Sequence, residues 1–103
     1  MATFDIGSKD ELRNGTMAGK TAGGQQILVA NIDGQFYAMG DVCTHMGVCN
    51  LSEGFLDSDQ VECYCHGSIF NVKTGQVVSG PATTPEPVYP VTIHGDRLFV
   101  DIQ

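Results

Sequence analysis

Cys43 and His45 stand two residues apart in "CTHMGVCN", and Cys63 and His66 stand three apart in "CYCHGS". Seventeen residues, Met46–Glu62, separate the pairs. Thiolate and imidazole are the common side-chain ligands of transition metals, so the spacing points to one metal centre held by two loops. A glycine follows each pair, Gly47 and Gly67. Such a residue lets the backbone bend tightly around a bound centre and aim its N–H groups inward. Zinc in a four-ligand tetrahedral site is one candidate. Zinc sites of the finger type, however, pair Cys with Cys and His with His. One Cys and one His in each loop suits a two-iron centre instead, with two thiolates on one iron and two imidazoles on the other.

The elements that must carry these loops read as strands. Leu28–Asn31 and Gln35–Met39 flank Asp33-Gly34, a turn pair that accepts positive φ and signals a tight hairpin. "IFNVKTGQVVSG" repeats the pattern around Thr74-Gly75, and "YPVTIHGDRLFVDI" repeats it around Gly95-Asp96. No segment shows a convincing 3.6-residue period, so an all-β sandwich or small barrel is expected. One helical turn is expected near Lys9–Arg13, capped by Ser8. The stretch Ser79–Pro90 carries prolines at 81, 85, 87 and 90, which exclude a central strand and predict an ordered loop. A chain of 103 residues makes one domain with a modest core, to which a bound metal centre adds stability.

Charge narrows the function. Twelve acidic residues face five basic ones, for a net charge of −7. Nucleic acid and anionic membrane surfaces both call for a basic face, so neither is an expected partner. No Lys or Arg occurs from Thr21 to Val72, the span that holds both Cys/His pairs. That span is either a solvated acidic face or a surface that steers toward a basic partner. No apolar run is long enough for a signal peptide or a membrane helix, which predicts a soluble cytoplasmic protein. Neither a phosphate-binding loop nor a dinucleotide fingerprint appears, and four ligands leave no open coordination position for a substrate.

With "CTH" at 43–45 and "CYCHGS" at 63–68, the chain resembles the Rieske [2Fe-2S] ferredoxins. The resemblance extends through "VECYCHGSIFNVKTGQVVSGPA" to the terminal "YPVTIHGDRLFVDI" and includes the opening "FDIGSKDEL". It implies an antiparallel Rieske-type sandwich with a small cluster-binding subdomain of two loops, about 41–68, and a covering loop at about 79–85. It implies one [2Fe-2S] cluster per chain, with Cys43 and Cys63 on the inner iron and His45 and His66 on the outer one. Replacing two thiolates by neutral imidazoles removes negative charge and eases reduction, so such centres run from about −150 to +300 mV. Solvent-facing imidazole ligands also predict a potential that falls at alkaline pH.

The remaining cysteines are Cys49 and Cys65, one in each loop. Some Rieske proteins, chiefly respiratory ones, carry a disulfide at comparable positions. Here Cys49 follows Cys43 by six residues, one more than that subtype leads one to expect. A clamp across the loops is expected from this resemblance, with two free thiols as the alternative. The same resemblance assigns Ser68 a hydrogen bond to a cluster sulfur, and puts Phe70 where the respiratory proteins have a second, tyrosine donor. An intermediate potential is therefore expected. Met46 and Pro81 are expected to cover the cluster, and Tyr64 to sit at its rim. His94, with no cysteine near it, is expected at the surface.

The implied function is one-electron transfer by a monomeric carrier that is not itself an enzyme. Its partners are a flavin-dependent reductase as donor and an oxygenase component as acceptor. The alternatives are a soluble fragment or relative of a respiratory-complex Rieske protein, and the small subunit of a nitrite-reductase-like oxidoreductase. The starting Met1 and the lack of an anchor weigh against the respiratory fragment, while Cys49, Cys65 and Ser68 weigh for it. The nitrite-reductase subunits often lack the ligands, all four of which are present here.

Overall fold

The computed structural model describes residues 2–102; Met1 and Gln103 lie outside that range. It is built almost wholly of antiparallel strands, arranged in three sheets. β1 (Ala2–Ser8), β10 (Val91–His94) and β11 (Arg97–Ile102) form the first, in the order β1-β11-β10. β2 (Thr16–Ala22), β3 (Gln25–Ile32), β4 (Gln35–Gly40) and the two-residue β9 (Val88–Tyr89) form the second. β5 (Phe55–Asp57), β6 (Gln60–Glu62), β7 (Ile69–Asn71) and β8 (Val77–Ser79) form the third.

β3 explains the layering. Its run "ILVANI" is buried along its whole length, as expected of a strand covered on both faces. Ile27 and Val29 pack with Ile6, Leu98, Val100 and Ile102 of the first sheet. Leu28, Ala30 and Ile32 point the other way and pack with Val61 and Phe70 of the third and with Val72 just after β7. Successive side chains of a strand face opposite sides, so one continuous apolar run serves two cores. The second core also takes in Cys43, Cys49 and Cys63, so the third sheet and both Cys/His loops share its packing.

Turn chemistry pins the registers. Asp33 and Gly34 adopt φ of 56° and 85°, the geometry of a two-residue hairpin, and pair Ile32 with Gln35. Ser8 caps a 3-10 turn at Lys9–Glu11. Its hydroxyl accepts from Asp10 N (3.2 Å) and its own N–H donates to Glu11 Oε1 (2.9 Å), a reciprocal capping box. In the β7–β8 connection Asn71 Oδ1 accepts from Lys73 N and Thr74 N, 2.8 and 3.2 Å.

The sequence reading missed several strands. β2 was not anticipated, because "TMAGKTA" is poor in β-branched and aromatic residues; it forms because β3 offers it a full register, Thr16 against Asn31 to Ala22 against Gln25. The β5–β6 hairpin also went unread, since its turn uses Ser58 at φ 57° rather than glycine. Within the proline-rich stretch, Val88 and Tyr89 form a short edge strand on β4, Ala38 opposite Tyr89. Proline on either side confines it to the edge, so the exclusion of a central strand stands.

Candidate metal centre

The two Cys/His loops are built alike. In each, the first cysteine's carbonyl accepts from the N–H of the glycine four residues on: Gly47 N to Cys43 O at 2.9 Å, Gly67 N to Cys63 O at 3.1 Å. Both glycines hold positive φ, 72° and 81°. Each cysteine N–H then closes its loop on a later carbonyl: Cys43 N to Cys49 O at 2.7 Å, Cys63 N to Ser68 O at 2.8 Å. The C-x-H and C-x-x-H spacings look different in sequence, but the Cys-to-Gly interval is the same and sets the shared turn.

Strands aim both loops. The second connects β6 to β7 as a hairpin loop whose base pairs Glu62 with Ile69. The first leaves β4 at Gly40. Its entry and exit are tied by Asp41, a fully buried carboxylate that accepts from Ser52 N (2.7 Å), Ser52 Oγ (2.8 Å) and Asn50 Nδ2 (3.1 Å).

Cys43 and Cys63 are buried and unbridged. Burial, together with the neighbouring Cys63, pushes the Cys43 thiol above its ordinary value. The imidazoles of His45 and His66 meet edge to face with ring centres 4.9 Å apart. His45 Nδ1 is buried without a hydrogen-bond partner, and His66 is exposed. An orphaned ring nitrogen is costly unless a ligand takes its lone pair. Two adjoining buried thiols and two imidazoles, one with such a nitrogen, are a donor set that fits a mixed sulfur–nitrogen diiron centre.

Cys49 and Cys65 are joined in a disulfide, with Cα atoms 6.5 Å apart. The extra residue after Cys43 does not prevent closure, and the two loops are covalently clamped. Cys49, Cys63 and Cys65 place their sulfurs within 4.8 Å of one another. That trio is not a second ligand set, because two of its sulfurs are spent in the bridge.

A strap at 80–87 binds both loops. Ser68 Oγ, fully buried, accepts from Ala82 N at 2.9 Å. Thr44 Oγ1, in the first loop, donates to Thr84 O at 2.6 Å. Gly40 N donates to Pro87 O at 2.9 Å, and Glu86 N to Gly75 O at 2.8 Å. Pro81, expected as cover, is itself exposed, and the neighbouring Ala82 is the buried member. Glu86 is also buried, with its Oε2 unpartnered. The sequence reading missed Ala82 and Glu86; a charged residue between two prolines was the only signal of the second. Met46, next to His45, is 60% exposed, and Tyr64, between Cys63 and Cys65, is also exposed. Phe70 is fully buried in the core, and His94 lies at the surface with its ring 5.3 Å from that of Phe99.

A family model for the Rieske [2Fe-2S] domain matches residues 2–90. The chain belongs to the Rieske [2Fe-2S] family. Among curated relatives, it is 43% identical over 95 residues to the biphenyl dioxygenase ferredoxin subunit of Pseudomonas sp. (strain KKS102), covering 91% of this chain and 86% of that one. It is 39% identical over 103 residues to the biphenyl 2,3-dioxygenase ferredoxin component of Rhodococcus jostii (strain RHA1), covering 100% and 95%. Among solved structures, it matches a chain in the complex of reduced oxygenase and oxidized ferredoxin in carbazole 1,9a-dioxygenase. That match has a TM-score of 0.88 and 36% identity, covering 95% of this chain and 91% of that one. This Rieske protein is thus a ferredoxin-type electron carrier with a [2Fe-2S] cofactor rather than a catalyst. No helix among the described residues is long and apolar enough to cross a membrane.

Proposed function

We propose that Cys43 and Cys63 hold one iron of the cluster and His45 and His66 the other, and that the chain passes single electrons from a flavin-dependent reductase to an oxygenase component in the cytoplasm. The carrying observation is the graded burial of the four ligands. Both thiols are buried, His45 is half-buried and His66 is exposed. Anionic thiolates belong where water is excluded, and neutral imidazoles tolerate the rim, where a redox partner can approach. The cluster supplies one-electron chemistry when bound.

The protein's own residues hold that donor set rigid. The Cys49–Cys65 bridge clamps the loops, Asp41 ties the first loop at its base, and the strap at 80–87 pins each loop by one hydrogen bond. Rigid ligands lower the reorganisation that accompanies each electron transfer. Open clefts of about 610 and 410 Å³ lie elsewhere and include none of the four ligands, which suits a carrier rather than a substrate-transforming enzyme. Met46, Val48 and Tyr64, all exposed, offer a small apolar rim for a short-lived docking contact. The absence of Lys and Arg from 21 to 72 favours a basic acceptor face.

The ligand assignment is tested by His45→Cys and Cys43→Ser in the purified chain. Iron, acid-labile sulfide and the visible spectrum are measured together. Cys43→Ser should lose the cluster, and His45→Cys should retain iron only with an altered spectrum. An unchanged spectrum in either variant rejects the assignment.

A further inference from the structure

The third sheet covers the core with one face and turns the other to solvent. Leu56, Val61, Phe70 and Val77 form an inward row across its four strands. The outward face carries two rows. Farther from the ligand loops, Asp57, Gln60 and Asn71 lie side by side, the polar surface expected of a solvated antiparallel sheet. The row beside the loops is different. It places Phe55, Glu62, Ile69 and Ser79 in line across β5, β6, β7 and β8. Phe55 is 64% exposed on the edge strand, Ile69 is half-buried, and Val78, unpaired at the bulge next to Ser79, is 49% exposed. A large ring left open on a sheet edge invites association, so something is expected to cover it.

The row is continuous with the redox edge. Glu62 immediately precedes Cys63 and Ile69 follows Ser68, so its two central residues are the base of the second ligand loop. Glu62 Oε2 lies 3.9 Å from the position of a Cβ on Gly67, which sets the carboxylate against that loop. The surroundings specify what covers the row. Exposed Glu53 and Asp57 flank Phe55 in the chain, and exposed Glu62 lies opposite it. No Lys or Arg occurs between 21 and 72. An apolar ring framed by carboxylates is complementary to a protein face with an apolar socket bordered by Arg or Lys.

We propose that the outward row of Phe55, Glu62 and Ile69 is a docking face for the oxygenase component, with Phe55 seated in an apolar socket of that partner and Glu62 paired with a cation at the socket's rim. The proposal rests on the oxygenase reading above. The imidazole edge alone is a small contact about which a partner can swivel. A second contact to its side, on a rigid strand pair, fixes the orientation in which His66 meets the acceptor. Phe55 supplies the affinity of that contact and Glu62 its registration, in keeping with interfaces where a buried aromatic anchor carries most of the energy and rim charges steer.

The test follows the cluster-loaded wild-type chain and Phe55→Ser through two steps. One is reduction by a flavin-dependent reductase; the other is oxidation by the oxygenase components of the biphenyl and carbazole dioxygenases. Ile93→Ser is the control, since it removes another exposed apolar residue from β10, in the first sheet. Phe55→Ser should raise the KM of the oxygenase for this chain by about tenfold, an anchor-sized loss, with kcat, visible spectrum and reduction potential unchanged. Phe55→Leu should restore most of that affinity, and Glu62→Gln should flatten the salt dependence of the oxygenase step. The reductase step should not change. Equal KM values for wild type, Phe55→Ser and Ile93→Ser overturn the proposal. So does a loss at the reductase step, alone or alongside the other, because the face then belongs to the donor or to both. A dimer in sedimentation that Phe55→Ser abolishes overturns it in favour of a second copy of this chain. A wild-type chain that the reductase reduces but neither oxygenase oxidises overturns the oxygenase reading itself.

Discussion

Ser68 Oγ accepts the Ala82 N–H at 2.9 Å in a fully buried setting, which joins the second ligand loop to the strap. The amide occupies an oxygen lone pair and leaves the hydroxyl proton free to donate. That arrangement suits the tuning role inferred for Ser68, because a donor aimed at a cluster sulfur favours the added electron. Ser68→Ala is expected to shift the reduction potential negative in protein-film voltammetry. It also strands the Ala82 N–H, at about 1–3 kcal/mol in stability. A potential unchanged by Ser68→Ala would confine the serine to holding the strap.

The disulfide separates structural from redox roles in another way. It closes a loop with a sequence separation of 16 between Cys49 and Cys65, a length for which a bridge stabilises by about 3 kcal/mol. Alkylation without reductant, followed by mass analysis, should leave both residues unlabelled. Cys49→Ser should lower the melting midpoint and hasten iron loss on dilution.

Stability should depend on pH through Glu86. Its carboxyl titrates at about 7 in the folded chain against 4.5 ordinarily, so between these values the folded state holds a proton that the unfolded state has lost. Stability from this group therefore falls as pH rises from about 4.5 through about 7. The full effect is on the order of 3 kcal/mol. Glu86→Gln should raise the melting midpoint at pH 8.5 relative to wild type and gain little at pH 5. Equal gains at both values would point to packing alone.

Electron transfer to a basic acceptor should slow as salt increases. Asp57 and Glu62 are exposed in the third sheet, and no basic residue lies between 21 and 72 to offset them. Screening at physiological ionic strength acts over about 8 Å, so charges steering a partner from farther away are lost first. Stopped-flow rates measured from low to high salt should decline steadily; a flat series would leave the acidic span as a solubility feature.

Gly40→Ala offers a check on the strap. A Cβ there would collide with Glu86 Oε1 and crowd the Pro87 ring atoms at 3.1 and 3.2 Å. The variant should be destabilised, and combining it with Glu86→Gln should not relieve the clash, because the amide fills the same volume.

Local chemistry was legible wherever the determinant is local. Asp33-Gly34 announces its hairpin because few residues accept positive φ, and Ser8 announces its turn because its side chain can cap the amide two residues on. The Cys/His pairs announce a metal because those donors have few other reasons to sit at such spacing. β2 was illegible for the opposite reason: its residues express no strong preference, and it exists because β3 needs a partner. The bridge between Cys49 and Cys65 was expected only by resemblance, since pairing depends on whether two loops come within reach, and the fold brings their Cα atoms to 6.5 Å. Glu86 is the clearest case. Its composition and position mark it only as a charged loop residue, and burial became visible once β4, the Gly75 turn and the first ligand loop closed around it. The sequence by itself thus determined a candidate donor set and the glycine-marked turns, because both are written in residue type. The burial of Glu86, and with it the upward push on its carboxyl, was decided by tertiary packing, because desolvation depends on neighbours distant in the chain.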